Sequence, residues 1–259
     1  SNEELVRLDL DGSPITSIMD VVSLPNLTYL NVNSSQIFPE EVPEILIQKS
    51  GLTIIFRTEE LDTWWNELDQ SWKEVFRKQF SIPEDPNTEQ LHSLTGKSAL
   101  TFERISVNEI QALTAFVNLR SLVIFDASLG NIAPVGELKL LEKLKISQVP
   151  VVDFSPLTSL TKLKELDISN SGIEDLDPLS GLLNLQTLNI SGTNLKTLKG
   201  LEGLLDLEEL DVASTNLRNL RPIEGLPNLK KLSCFNTRLN SRAVDNFKKS
   251  NPDCEVRYY

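Results

Sequence analysis

Apolar residues recur along this chain in one fixed order. From Leu163 the order is Leu163, Leu166, Ile168, Ile173, Leu176, Leu179 and Leu182, after which Leu185 starts it again. The opening leucine stands at Leu119, Leu141, Leu163, Leu185, Leu207 and Leu229, a constant spacing of 22 residues. Within a unit, Leu166 and Ile168 alternate with Glu165, Asp167 and Ser169. That period of two predicts a short strand with the apolar pair inward and its neighbours outward. The remainder, Ile173 to Leu182, is apolar at every third position, the spacing at which the side chains of a 3₁₀ turn eclipse. Pro156, Pro178 and Pro222 fall in this return segment and exclude a long regular helix there.

A string L-x-x-L-x-L repeated at such a period is the signature of a leucine-rich repeat solenoid. The expected fold is therefore α/β: a right-handed β-α superhelix with a parallel sheet on its concave side and a convex side rich in 3₁₀ helix and turns. Ser171, Thr193, Thr215 and Thr237 stand where many repeat families place an asparagine, and a hydroxyl there is expected to satisfy backbone groups of adjacent turns. The array is expected to fade at its start. Its register opens at Lys97, and Leu100, Phe102, Ile110, Leu113 and Phe116 keep later slots, while Val149 and Val151 occupy turn positions.

A smaller copy precedes this array. Leu5, Leu8, Leu10, Ile15, Ile18, Val21, Leu24, Leu27, Leu30, Val32 and Ile37 follow the same register and run into Val42, Ile45, Lys49-Ser50 and Leu52, Ile54, Ile55. The end of the chain has a matching run: Leu239, Val244, Phe247, Lys249-Ser250, Cys254 and Val256. Two closing caps predict two blocks, residues 1–57 and 97–259. Two repeats bury too little to stand alone, so the first block must lean on something further. Between the blocks, residues 58–96 read as a helical linker and cap. Leu61, Trp64, Trp65, Leu68, Trp72, Val75, Phe76 and Phe80 are spaced as one helix over 61–80 with Asp62 as its N-cap, and a second helix starts near Thr88. This aromatic stripe reads as a cover for an open solenoid end rather than a membrane-surface helix, because the segment is acidic.

The net charge of −12 divides as −7 over residues 1–60, −4 over 61–96 and −1 over 97–259. An acidic chain repels phosphate backbones, so nucleic acid is excluded as a partner. No apolar run approaches the ~18 residues that predict a transmembrane segment. The chain opens on Ser1-Asn2 without methionine, the look of a processed end, so an export signal would lie outside it. The two cysteines, Cys234 and Cys254, are too few for a disulfide framework. They read as buried thiols, with a bridge between them left open for an exported protein.

The run Ile173-Glu174-Asp175-Leu176-Asp177-Pro178-Leu179, followed by Leu182, Asn184 and Leu185, resembles the repeats of internalin-type bacterial proteins. The resemblance covers 97–250 well and 5–45 in shortened form. The segment with Trp64, Trp65 and Trp72 and the ending Asn251-Pro252-Asp253-Cys254-Glu255-Val256 are similar to exported repeat proteins of Bacteroidetes. The resemblance implies protein or ligand recognition and a place outside the cell or at a bacterial surface. The chain departs from the internalin pattern in its Ser/Thr for Asn and its doubled blocks.

The single histidine, His92, has no C-x-x-C pattern to join, and neither a G-x-S-x-G elbow nor a phosphate-binding loop occurs. No enzyme, metal site or cofactor is expected. Recognition then falls to the concave face. Its central column reads Thr101, Val123, Lys145, Asp167, Asn189, Asp211, Ser233; the next reads Glu103, Phe125, Ser147, Ser169, Ser191, Ala213, Phe235; the preceding one contains Lys143, Glu165, Glu209 and Lys231. The candidate ligand-binding residues are Val123, Phe125, Lys145, Glu165, Asp167, Asn189, Asp211 and Phe235, since outward aromatics among polar groups suit a protein interface. Of the two phenylalanines, Phe235 is expected to be the better covered. Lysine at both 167 and 211 is expected to abolish capture with little change in melting temperature. The function expected is non-enzymatic recognition of a protein partner. Glycan binding at a cell surface and self-association are the alternatives.

Overall fold

A computed structural model describes residues 4–125 and 127–259; Ser1-Asn2 lies outside the described residues. Eleven short strands form two all-parallel sheets. The first holds β1 (Arg7–Asp9), β2 (Tyr29–Asn31) and β3 (Thr53–Ile55) in sequence order. The second holds β4 (Ala99–Glu103), β5 (Ser121–Phe125), β6 (Lys143–Ser147), β7 (Glu165–Asp167), β8 (Thr187–Asn189), β9 (Glu209–Asp211), β10 (Lys231–Ser233) and β11 (Glu255–Arg257), also in sequence order. Consecutive pairing of parallel strands through short returns is what stacked rungs require. The chain divides into two compact units, one of residues 1–98 with 112–119, the other of 99–111 with 120–259.

Each rung of the second unit follows the alternation in the sequence. Leu166, Ile168, Leu188 and Ile190 are buried, with Leu163, Leu185 and Leu207 beneath them. The return segments are 3₁₀ helices at Ala133–Glu137, Ser155–Ser159, Asp177–Leu179 and Arg221–Ile223, each with proline in its first turn. Proline suits that place because its missing N–H has no partner in a first turn. The rung from Leu185 has Gly200 instead, at φ +103°, where a Cβ would sit 2.8 Å from the Leu176 carbonyl oxygen. A non-glycine side chain there is excluded both by space and by backbone geometry.

The array does not fade at its start. β4, β5 and β6 have five residues, whereas β7 to β11 have three. Val149 and Val151 are buried and extend the core into the turn region. The hydroxyls of Ser171, Thr193, Thr215 and Thr237 also act differently from expectation. Each donates to a carbonyl three residues earlier in its own rung, at 2.6–2.9 Å, and none reaches an adjacent turn. The residue before each hydroxyl (Asn170, Gly192, Ser214, Asn236) is left-handed, with φ of 52–69°. That reversal turns the carbonyl toward the hydroxyl. Rung-to-rung stapling falls instead to Asn184 and Asn228, whose amides donate to Thr161 and Leu205 one rung back at 2.8 and 2.9 Å.

In the first unit, α1 (Glu41–Gln48) leads into β3 and buries Val42 and Ile45. The helix expected over 61–80 is two helices, α2 (Thr58–Glu67) and α3 (Gln70–Phe80). Asp69 causes the break, accepting from the Ser71 amide at 2.7 Å as the cap of α3. Such local bonding competes with a continuous helix. Asp62 lies inside α2, and Arg57 holds the position before it. α4 (Thr88–Thr95) starts in a capping box between Asn87 and Gln90. Trp64, Phe76 and Phe116 meet with ring centroids 5.7–6.2 Å apart, and Trp64 Nε1 donates to the Ala112 carbonyl at 3.1 Å. The helices thus lay their aromatic side on the 112–119 segment of the same unit. Trp65 and Trp72 are buried.

Candidate functional site on the outward face of the long sheet

Lys143, Glu165, Thr187, Glu209, Lys231 and Glu255 stand in one lateral column of the eight-stranded sheet, and Val123, Lys145, Asp167, Asn189, Asp211, Ser233 and Arg257 in another. Asp167, Asn189 and Asp211 are half-buried, and the leucine before each is sealed. The third column is mostly closed. Ser147, Ser169 and Ala213 are buried, against the expectation of an outward row, because small side chains there sink beneath the turn. Phe125 is half-buried at the end of β5, whereas Phe235 is 41% exposed, the reverse of the expected order. The closing strand ends at Arg257, and Tyr259 beyond it is fully exposed, so neither covers Phe235.

Much of the polar surface is engaged within the sheet. Lys143 meets Glu165 at 2.5 Å, Lys145 meets Asp167 at 2.8 Å and Lys231 meets Glu209 at 2.5 Å, each pair joining neighbouring strands. Glu142 lies between Arg120 (3.2 Å) and Lys164 (2.7 Å). The Lys164 bond, with help from Arg120, holds the Glu142 carboxyl below the usual carboxylate range. Burial pushes Asp167 upward, but Lys145 and the Ser169 hydroxyl and amide outweigh it and leave that carboxyl below its ordinary value. Glu209 likewise raises the Lys231 ammonium.

The central column has a second duty that its sequence did not reveal. Asp167 Oδ1 accepts from the Ser169 amide at 3.0 Å, Asn189 Oδ1 from the Ser191 amide at 3.0 Å, and Asp211 Oδ1 from the Ala213 amide at 2.9 Å. Asp9 and Asn31 do the same for Asp11 and Asn33 in the short sheet. These are Asx turns at the strand ends. Where Lys145 takes the slot its side chain offers no acceptor, and among the described residues the buried Ser147 hydroxyl has no partner.

An open hollow of about 360 Å³ remains at the carboxyl-terminal end of this face. Asn189, Asp211 and Ser233 line its floor with the leucines beneath, and Thr187, Glu209, Lys231, Glu255 and Arg257 surround them. Phe235 follows Ser233 by two residues. Of the residues singled out from the sequence, the hollow gathers Asn189 and Asp211; Val123, Phe125, Lys145, Glu165, Asp167 and Phe235 lie outside its lining. Glu255 and Arg257 escaped sequence reading because β11 pairs with β10 at a 24-residue offset, outside the repeat's column arithmetic. A signal was available: β3 pairs with β2 at the same 24-residue offset after the matching Lys-Ser cap.

Elsewhere, titratable groups serve the framework. His92 is buried, with Nδ1 2.8 Å from the Thr88 carbonyl and Nε2 within 3.0 Å of both the Phe56 amide and carbonyl, so it pins α4 to the end of β3. Cys234 and Cys254 are free and buried, and burial pushes each thiol up to about 11. Among the described residues no group of three or more His, Cys, Asp or Glu could hold a metal ion, and no helix is long and apolar enough to cross a membrane.

Comparison with known proteins agrees with this geometry. A family model described as "Leucine Rich repeats (2 copies)" matches residues 161–204, across β7 and β8. The fold is the leucine-rich repeat solenoid. Among solved structures, an internalin (inlF) from Listeria monocytogenes matches at 21% identity and TM-score 0.62, covering 99% of this chain and 81% of that one. An internalin C2 from the same species matches at 20% identity and TM-score 0.55, over 74% of this chain and 93% of that one. A leucine-rich repeat protein of Leptospira interrogans matches at 21% and 0.58, over 98% and 76%. The chain is therefore similar to bacterial internalin-like repeat proteins. No curated protein sequence matches it.

Proposed function

We propose that the eight-stranded unit is a non-enzymatic protein-recognition module that works through the concave face of its leucine-rich repeats, outside a bacterial cell or on its surface. One observation carries this reading. The β8–β11 region brings a hollow lined by Asn189, Asp211 and Arg257 close in sequence to the exposed Phe235, two residues beyond Ser233. Aromatic anchors ringed by polar groups are what protein interfaces use for most of their affinity. Lys145, Glu165, Asp167, Val123 and Phe125 form the outer part of the same footprint, with affinity concentrated at the β8–β11 end.

Capture of a partner from intact native cells tests the reading. Thr187→Arg with Phe235→Ala intrudes on the hollow without touching any Asx turn, while Leu183→Ala alters an exposed leucine away from the sheet face. The same partner is expected with the wild-type chain and Leu183→Ala, and none with the double variant. Equal capture by all three removes the concave face from the account.

A further inference from the structure

We infer that the hollow accepts the cationic side chain of a lysine or arginine presented by the partner protein, with Asp211 as its counter-charge. The inference rests on the concave-face reading and deepens it.

Asn189 and Asn31 perform the Asx turn with a neutral amide, so the fold does not require a charge at this position. At Asp167 the charge is compensated by Lys145 on the next strand at 2.8 Å. Asp211 differs. Its register neighbours are Asn189 and Ser233, both neutral, and no ion pair to it occurs among the described residues. Lys231, one strand away, is held by Glu209 at 2.5 Å. Arg257 lies two strands away, roughly 10 Å at ordinary strand spacing, and its Nε is held by Glu255 at 3.2 Å. One oxygen of Asp211 is used by the Ala213 amide; the residue is half-buried in the lining of the hollow, and among the described residues no cation pairs with it.

A partly desolvated, unpaired carboxylate is unfavourable unless something supplies the opposite charge. The surrounding groups fit a long basic side chain. Phe235, 41% exposed and two residues beyond Ser233 of the lining, is the aromatic near enough in sequence to take the methylene stem or the cation. The Ser233 and Thr187 hydroxyls can accept further N–H bonds from the head group. The lining carries three carboxylates against two cations; Lys231 is paired with Glu209 and Arg257 with Glu255, so the excess charge is the negative one of Asp211 and an acidic side chain is disfavoured.

The test uses the full chain, amide NMR spectra and the peptide acetyl-Gly-Ser-Lys-Ser-Gly-amide, with the lysine replaced by norleucine as the uncharged control and by arginine as a second cation. Both cationic peptides are expected to shift the Ala213 and Ser233 amides saturably, and less so as salt is added. The norleucine peptide is expected to leave them in place. Asp211→Asn keeps the Asx turn, so a dispersed spectrum persists while affinity for the cationic peptides falls about tenfold or more. Equal response to norleucine, an unmoved Ala213 amide, or undiminished binding in Asp211→Asn overturns the inference. If the peptides fail while Thr187→Arg with Phe235→Ala still abolishes partner capture, the cation assignment falls and the concave-face reading stands. If the peptides bind at Asp211 and capture is indifferent to that double variant, the reverse holds.

Discussion

The two halves of the long sheet differ although one repeat builds both. In β4, β5 and β6 the central outward residue is Thr101, Val123 or Lys145, and the strand runs for five residues; in β7, β8 and β9 it is Asp167, Asn189 or Asp211, and the strand stops at that residue. One amide differs between the two sets. Where Asp or Asn is present, its Oδ1 takes the amide two residues on, which is thereby withheld from the parallel ladder that alternate amides would otherwise continue. Valine, or lysine held to its neighbour, offers no such acceptor, and pairing runs on to Phe125 and Ser147. An outward polar column is therefore not automatically a binding surface. Part of it bonds the amide two residues on, and part pairs across strands.

Substitutions can break or sharpen this contrast. The largest effect is expected from the element both halves share, the leucine spine. Leu188→Ala should lower unfolding free energy by about 2–5 kcal/mol in urea denaturation, as for other sealed leucines. Next come the Asx positions: Asp167→Lys with Asp211→Lys removes two amide acceptors and places a lysine beside Lys145. The cost should be about 1–2 kcal/mol per lost acceptor, so the nearly unchanged melting temperature that sequence alone suggested is replaced by a clear decrease. Acid titration should produce a smaller loss. Glu142 and Asp167 both have depressed folded-state values, so their stabilisation is complete above the ordinary carboxylate range, about pH 4, and is lost as pH falls toward the depressed values. Lys145→Met removes the Asp167 partner and should shrink that acid-dependent part, seen as a flatter stability profile between neutral and acidic pH. The least effect is expected from Lys164→Ala, at most about 0.5 kcal/mol, since its pair with Glu142 is exposed.

The repeat itself was fully legible in the sequence. A period of 22 with inward leucines leaves little freedom, and Leu166, Ile168, Leu188 and Ile190 are buried as the alternation requires. Legibility ended where a residue's role depends on its neighbours across rungs. Ser169 reads as outward by alternation, yet its hydroxyl turns to Asp167 at 2.6 Å and the side chain is buried. Leu61 to Phe80 reads as one helix by periodicity, yet the Asp69 cap divides it. Arg257 was missed because the closing rung is two residues longer than the rest. Periodicity reports what faces the core; it does not report which polar group a turn consumes.

The most direct test separates charge from cap at one residue. Chemical unfolding of Asp211→Asn and Asp211→Ala should give different answers. Asn, which retains an acceptor for the Ala213 amide, is expected within about 0.5 kcal/mol of wild type, and Ala, which does not, about 1–2 kcal/mol lower. Equal stability of the two variants would contradict the claim that the outward column of β7 to β9 ends its strands by capping them.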